Sequence, residues 1–216
     1  MTETTRALPR HTALATAVAA VLVLAACGSS HTSGAGPAPA TAAALASVSP
    51  APHNQADVTF TQNMILHHRQ AIEMAQMAQT RASSSDVKAL AAKIEKEQAP
   101  KIETMSGWLT SWGEKVPENM PSTACSGPSS MPGIAGPSCV PGMMDSQQMN
   151  QMMHASGHTF DTMFLTMMIQ HHQGAIEMAQ AEQAQGAYDP AKSLAAGIVT
   201  AQTAEIAQMQ KMLGTG

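Results

Sequence analysis

One stretch of this chain occurs twice. MILHHRQAIEMAQ at residues 64–76 returns as MIQHHQGAIEMAQ at residues 168–180. A shift of 104 residues overlays the two copies without a gap, and 12 of the 22 positions in 57–78 and 161–182 are identical. They include Asp57/Asp161, Phe60/Phe164, Met64/Met168, His67/His171, His68/His172, Glu73/Glu177 and Met74/Met178. The register continues through Leu90/Leu194, Ile94/Ile198, Gln98/Gln202, Ile102/Ile206, Met105/Met209 and Leu109/Leu213. Whatever fold one copy adopts, the other must adopt too, so the domain is two alike halves.

Each copy reads as a helical hairpin. Residues 57–80 predict a first helix and residues 86–112 a second, where Leu90, Ile94, Gln98, Ile102, Met105 and Leu109 recur at steps of three and four. Ser85 is the expected N-cap of that second helix, and its counterpart Asp189 precedes Pro190 at a first helical position. Pro100 falls inside the first copy's second helix, where a kink is expected; the second copy has Ala204 there. Two hairpins with apolar stripes bury those stripes together, which predicts an all-α fold, a four-helix bundle. Repeat 1 spans 57–112 and repeat 2 about 146–216, joined by an insert over 113–145. Residues 146–156 are expected to add a turn or two of helix.

On a helical wheel, His67 and His68 fall on the inward side with Met64, Ala71 and Met74, while Gln62, Arg69, Gln70, Glu73 and Thr80 face away. The same holds for His171 and His172, with Glu177 outward. The string HHxxxxE is therefore not a ligand set on one helix. Asp57 and Asp161 lie within the stripe. Asp57 is about 16 Å along the helix from His68, too far to share an ion with it, but close enough in an antiparallel pair to approach a His of another helix.

Four inward imidazoles need partners. One reading is a metal site of His67, His68, His171 and His172, with Met64, Met168, Met74 and Met178 or with Asp57 and Asp161. Imidazole with thioether and no thiolate suits copper, Cu(I) above all; imidazole with Asp admits Zn²⁺, Cu²⁺ or iron. The alternative is a hydrogen-bond network in which Gln98, Gln202 and Asp satisfy the rings and nothing is bound. A second metal locus is possible at Met149, Met152, Met153 and His154, as a flexible surface site; otherwise that segment is a Met-rich turn packed on the bundle.

Composition sharpens these choices. Charged residues are 12% and aromatics 3%, so core volume falls to Ala, Leu, Ile and 18 Met. Those Met are either gap-fillers or soft ligands. A net charge of −4 leaves no nucleic-acid footprint.

The N-terminal region is a targeting and tethering segment. Arg6 and Arg10 precede the apolar run 12–26, too short for a typical membrane span. Leu24-Ala25-Ala26-Cys27-Gly28 resembles a lipobox, so residues 1–26 are expected to be removed and Cys27 lipidated. Residues 27–56 are Ser/Thr/Gly/Ala/Pro-rich, with His31 and His53 among them, and read as a linker. The bundle domain is 57–216. Export and anchoring to the bacterial envelope through lipid follow. Cys125 and Cys139, in the Pro/Gly-rich insert, are expected to form a disulfide in that oxidising compartment.

The pattern D-x-x-F-x-x-x-M-x-x-H-H-x-x-A-I-x-M-A, followed by Q-x-x-x-I-x-x-M-x-x-x-L, resembles the DUF 305 family of bacterial envelope proteins. It runs from Asp57 to Leu109 and again from Asp161 to Leu213. The resemblance implies a ferritin-like four-helix bundle and, as in some members, an association with copper. The function expected is a lipoprotein that buffers, sequesters or confers resistance to copper. The alternatives are a ferritin-like metal-dependent oxidase and a ligand-free structural or interaction lipoprotein. The Glu-x-x-His pairs of di-metal carboxylate bundles are missing, which weighs against catalysis. The partners expected are a metal ion and the membrane through its anchor; a homo-oligomer stays open.

Overall fold

The structure, a computed structural model, describes residues 52–118 and 140–214. The signal segment, Cys27, His31, Cys125 and Cys139 lie outside the described residues. The described chain is all-helical: α1 (Gln55–Arg81), α2 (Ser85–Trp112), α3 (Ser146–His154), α4 (Gly157–Gln185) and α5 (Asp189–Leu213). Helices α1–α2 and α4–α5 are the two hairpins, and they pack through α1 against α4. Helices α2 and α5 meet through long side chains, such as Lys93 against Glu205. The result is a four-helix bundle with the short α3 laid beside it. No described helix is long and apolar enough to cross a membrane.

Capping explains where the helices begin. The Asn54 side chain accepts from the amides of Ala56 and Asp57, and Asp57 answers by accepting from the Asn54 amide at 2.6 Å, a closed capping box. Helix α2 is capped by Ser84, one residue earlier than the sequence pattern predicts, because Ser84 has the extended backbone a cap requires. Tyr188, not Asp189, holds the cap position of α5, and Pro190 falls in the first turn. Helix α2 continues through Pro100 as one element.

Asp57 and Asp161 set the relation between the hairpins. Asp57, at the start of α1, accepts from the amides of Ala187 and Tyr188 in the α4–α5 turn. Asp161, near the start of α4, accepts from the amides of Ser83 and Ser84 and from the Ser83 hydroxyl in the α1–α2 turn. The start of each inner helix therefore grips the end of the other, which makes α1 and α4 antiparallel and the halves pseudo-symmetric. Hydrogen bonds to a carboxylate contribute about 1.5–3 kcal/mol each.

The core is divided. One apolar cluster holds Ala71, Met74, Ala75, Leu90, Ile94, Phe160, Phe164, Met168 and Met209. The other holds Phe60, Met64, Ile65, Met105, Leu109, Ala175, Met178, Ala179 and Ile198. Each takes one half of every main helix. The polar layer between them carries the histidines.

A candidate metal centre in a buried histidine layer

His67, His68, His171 and His172 are all 0% exposed. The helical wheel expectation of an inward face holds, and Glu73 and Glu177 are exposed. The rings of His67 and His171 touch across the α1–α4 interface, with centroids 3.6 Å apart and planes tilted by 39°. Within each pair the two rings diverge, with centroids 6.5 Å apart for His67–His68 and 6.4 Å for His171–His172. Adjacent residues on a helix point about 100° apart, so each pair offers one ring to the inner interface and one toward its flank.

Burial fixes the charge state of three rings. Desolvation, aided by the neighbouring His172, pushes His67 down to about 3, although the Pro141 and His171 carbonyls pull the other way. Desolvation also holds His68 and His171 well below the usual imidazole range, helped by the other rings and, for His68, by Lys101. A neutral ring keeps a lone pair, which is the form that ligates metal.

Those lone pairs have little else to do. Both nitrogens of His68 and His171, and Nδ1 of His172, are buried without a hydrogen-bond partner, and those of His67 make none of good geometry, with only the Pro141 and His171 carbonyls nearby. The network reading expected Gln98 and Gln202 to satisfy the rings. Instead, both polar atoms of buried Gln98 and Oε1 of Gln202 are themselves unpartnered. Asp57 and Asp161 do not serve the rings either. Their oxygens are taken up by the turn amides, at the bundle ends, about 15 Å along the helix from the His of their own copy. Aligned amides near a helix start are strong carboxylate partners, and this drew the in-stripe Asp away from the site.

The methionines bracket the layer. Met64 and Met168 are fully buried one turn before the His of their own helices, and Met74 and Met178 lie beyond them. Met64 and Met178 fall in one apolar cluster, Met74 and Met168 in the other, so thioethers stand on both sides. Among the described residues no three His, Cys, Asp or Glu side chains are disposed to share an ion. An ion here would draw on imidazole and thioether together. That donor mix fits Cu(I) or a comparable soft ion and not Ca²⁺ or Mg²⁺.

Two features escaped the sequence reading. Glu205 of α5 is 3% exposed; Oε2 accepts from His172 Nε2 at 2.8 Å and Oε1 from Lys93 Nζ at 2.8 Å. Its burial raises the carboxyl, but the His172 and Lys93 bonds outweigh this and lower it overall. The helical repeat gives the clue: Glu205 is three residues after Gln202, on the same face. The second feature is a strap at 140–144 over the layer. Gln70, expected to face away, is 2% exposed because its side-chain amide bonds both the carbonyl and the amide of Met144. Opposite it, a Cβ on Gly174 would stand 2.2 Å from the Pro141 carbonyl oxygen, so only glycine admits the strap there. Surface hollows of about 410 and 550 Å³ are lined by other residues, not by these histidines.

The second Met locus does not gather. Met152 is fully buried in the core and Met149 packs against it, whereas Met153 is 43% exposed and His154 Nδ1 meets the Asn150 carbonyl. α3 is a packed amphipathic helix, and its Met side chains diverge.

A duplicated helical hairpin closed on a buried four-histidine layer defines the class of this protein. The chain belongs to the DUF305 family, a domain of unknown function, whose profile matches residues 57–213. No curated protein matches the sequence. Among solved structures, a DUF305 protein from Streptomyces coelicolor is 29% identical with a TM-score of 0.62, covering 74% of this chain and 91% of that one. A DUF305 fragment from Deinococcus radiodurans is 27% identical with a TM-score of 0.64, covering 76% and 98%. CopM in its Cu(I)-bound form is 29% identical with a TM-score of 0.57, covering 72% and 94%. CopM has also been solved in Cu(II)-bound, Ag-bound and apo forms.

Proposed function

We propose that this chain is an exported lipoprotein of the bacterial envelope that binds a soft metal ion, copper above others, in its histidine layer. It would hold the ion as a buffer or sequestering store. The observation that carries the reading is the set of buried imidazole nitrogens without partners. Leaving a buried polar group unsatisfied costs about 1–3 kcal/mol, and a bound ion removes that cost for each nitrogen it takes. The Cu- and Ag-bound forms of CopM support the same metal class.

The ligands we assign are drawn from His67, His68, His171 and His172, with thioethers from Met64, Met168, Met74 and Met178. Asp57 and Asp161 are left out because the turn amides occupy them, and Met149, Met152, Met153 and His154 because they diverge. The lipobox at Cys27 and the preceding apolar run support export and anchoring, with the segment from Cys27 up to the Asn54 cap of α1 as tether and the bundle as the binding domain. Cys125 and Cys139 are proposed as a disulfide within the insert.

The test is metal content and affinity. Protein from copper-supplemented cells should carry copper, and Cu(I) competition against a chromophoric chelator should give a saturable site. Replacing all four layer histidines by Ala should abolish both while helical circular dichroism persists. Equal copper content in that folded variant would remove the assignment.

A further inference from the structure

Positions 101 and 205 correspond under the 104-residue shift (205 − 104 = 101), yet one is Lys101 and the other Glu205. In the second repeat, the buried Glu205 carboxylate takes His172 Nε2 on one oxygen and Lys93 Nζ on the other, each at 2.8 Å. In the first repeat, Lys101 donates to the Glu97 carbonyl at 2.6 Å, and its positive charge bears on His68. His68 has no partner on either nitrogen.

A neutral imidazole that gives its Nε2–H to a carboxylate keeps its lone pair on Nδ1. His172 Nδ1 is buried and unpartnered. Of the four rings, His172 alone has a carboxylate that fixes both its tautomer and its orientation. A cation entering the layer also meets, at His172, a carboxylate that it shares with Lys93, whereas the charged side chain that bears on His68 is the cation Lys101. At short range in a poorly hydrated interior, such a difference is weakly screened.

We propose that Glu205 is the positioning residue of the layer: it holds His172 as the Nε2–H tautomer, presents Nδ1 to a soft cation, and makes the second-repeat side the first to be occupied. The proposal rests on the metal-binding reading above and adds to it an order of occupancy. Lys93 is part of the device. It neutralises the outer oxygen of Glu205 and holds the carboxylate in place, since Lys93 Nζ also reaches Glu97 at 3.3 Å.

The experiment uses the full chain labelled with ¹⁵N-histidine. In the metal-free protein, long-range ¹H–¹⁵N spectra should show His172 as the Nε2–H tautomer, which needs no variant. On titration with Ag⁺, His172 Nδ1 should shift before either nitrogen of His68. Glu205→Ala should mix the tautomers and weaken Ag⁺ binding roughly 10- to 100-fold, the usual cost of losing a ligand's outer partner. Glu205→Gln keeps an acceptor for Nε2–H and should restore the tautomer and most of the affinity. An unchanged tautomer and affinity in Glu205→Ala overturns the proposal, as does a Gln variant as impaired as the Ala one. If Ag⁺ shifts His68 first, the order of occupancy falls while metal binding stands. If Ag⁺ shifts none of the four rings, both fall.

Discussion

The two repeats agree at some positions and part at others, and the division is informative. Both keep the Asp that grips the opposite turn, the His pair, the Met one turn before it and the Gln in the second helix. These positions build the scaffold and the layer. They part immediately outside it. Glu205 answers to Lys101, Gly174 to Gln70, and Glu182 to Ala78. A duplicated fold needs its symmetric grip to close. Its site need not be symmetric, and here the charge beside each His pair has opposite sign. The strap shows the same economy: Gln70 bonds it on one side while Gly174 makes room for it on the other.

The largest expected effect breaks the symmetric grip. Asp161→Ala leaves two turn amides and a hydroxyl without their acceptor and should cost about 3 kcal/mol in urea unfolding. Asp57→Ala should cost at least as much, because Asp57 accepts from the Ala187 and Tyr188 amides and also from the Asn54 amide in the α1 capping box. A clearly smaller loss would mean that the cap of α1 does not depend on Asp57. Next comes Gly174→Ala. Its new methyl would strike the Pro141 carbonyl, and an overpacked site of this kind costs roughly 2 kcal/mol. Hydrogen exchange should then rise at Met144, whose amide Gln70 holds; unchanged protection there would mean the strap shifts without loosening.

A third change makes the halves alike. Lys101→Glu replaces the cation near His68 with a possible acceptor and should raise Ag⁺ affinity about tenfold, which is about 1.4 kcal/mol. Competition titration reads it, and no change would show that the charge at this position does not reach the layer. The smallest effect is on pH dependence. Desolvation and Asp57 push Glu182 up to about 8, well above an unfolded carboxyl near 4.5. The folded state therefore holds a proton that the unfolded state has lost, and stability should fall as pH rises from about 4.5 to 8. Glu182→Gln should remove that fall, raising Tm by roughly 3 °C at pH 8.5 and hardly at all at pH 4. A parallel pH profile in the variant would show that Glu182 is not the group responsible.

Much of this was legible in the chain. The repeat, the hairpins, the bundle and the inward histidines follow from periodicity, because side-chain direction along a helix is set locally by 3.6 residues per turn. The outward positions of Glu73 and Glu177 follow in the same way. Gln70 broke the pattern because a segment more than seventy residues away covers it, and no local period records that. Asp57 and Asp161 were visible as inward carboxylates, but their partners were not, since the amides they bind come from the other hairpin's turn.

Local order thus determined the helices, their buried faces and the chemistry available in the layer: imidazole and thioether. Tertiary structure alone decided how those groups were assigned. It sent the aspartates to the turns, left the glutamines without the rings, brought His67 onto His171 and placed Glu205 against His172. The physical reason is that a helix fixes the direction of a side chain, whereas a hydrogen bond also needs a partner at the right distance, and that partner comes from wherever the fold brings another element close.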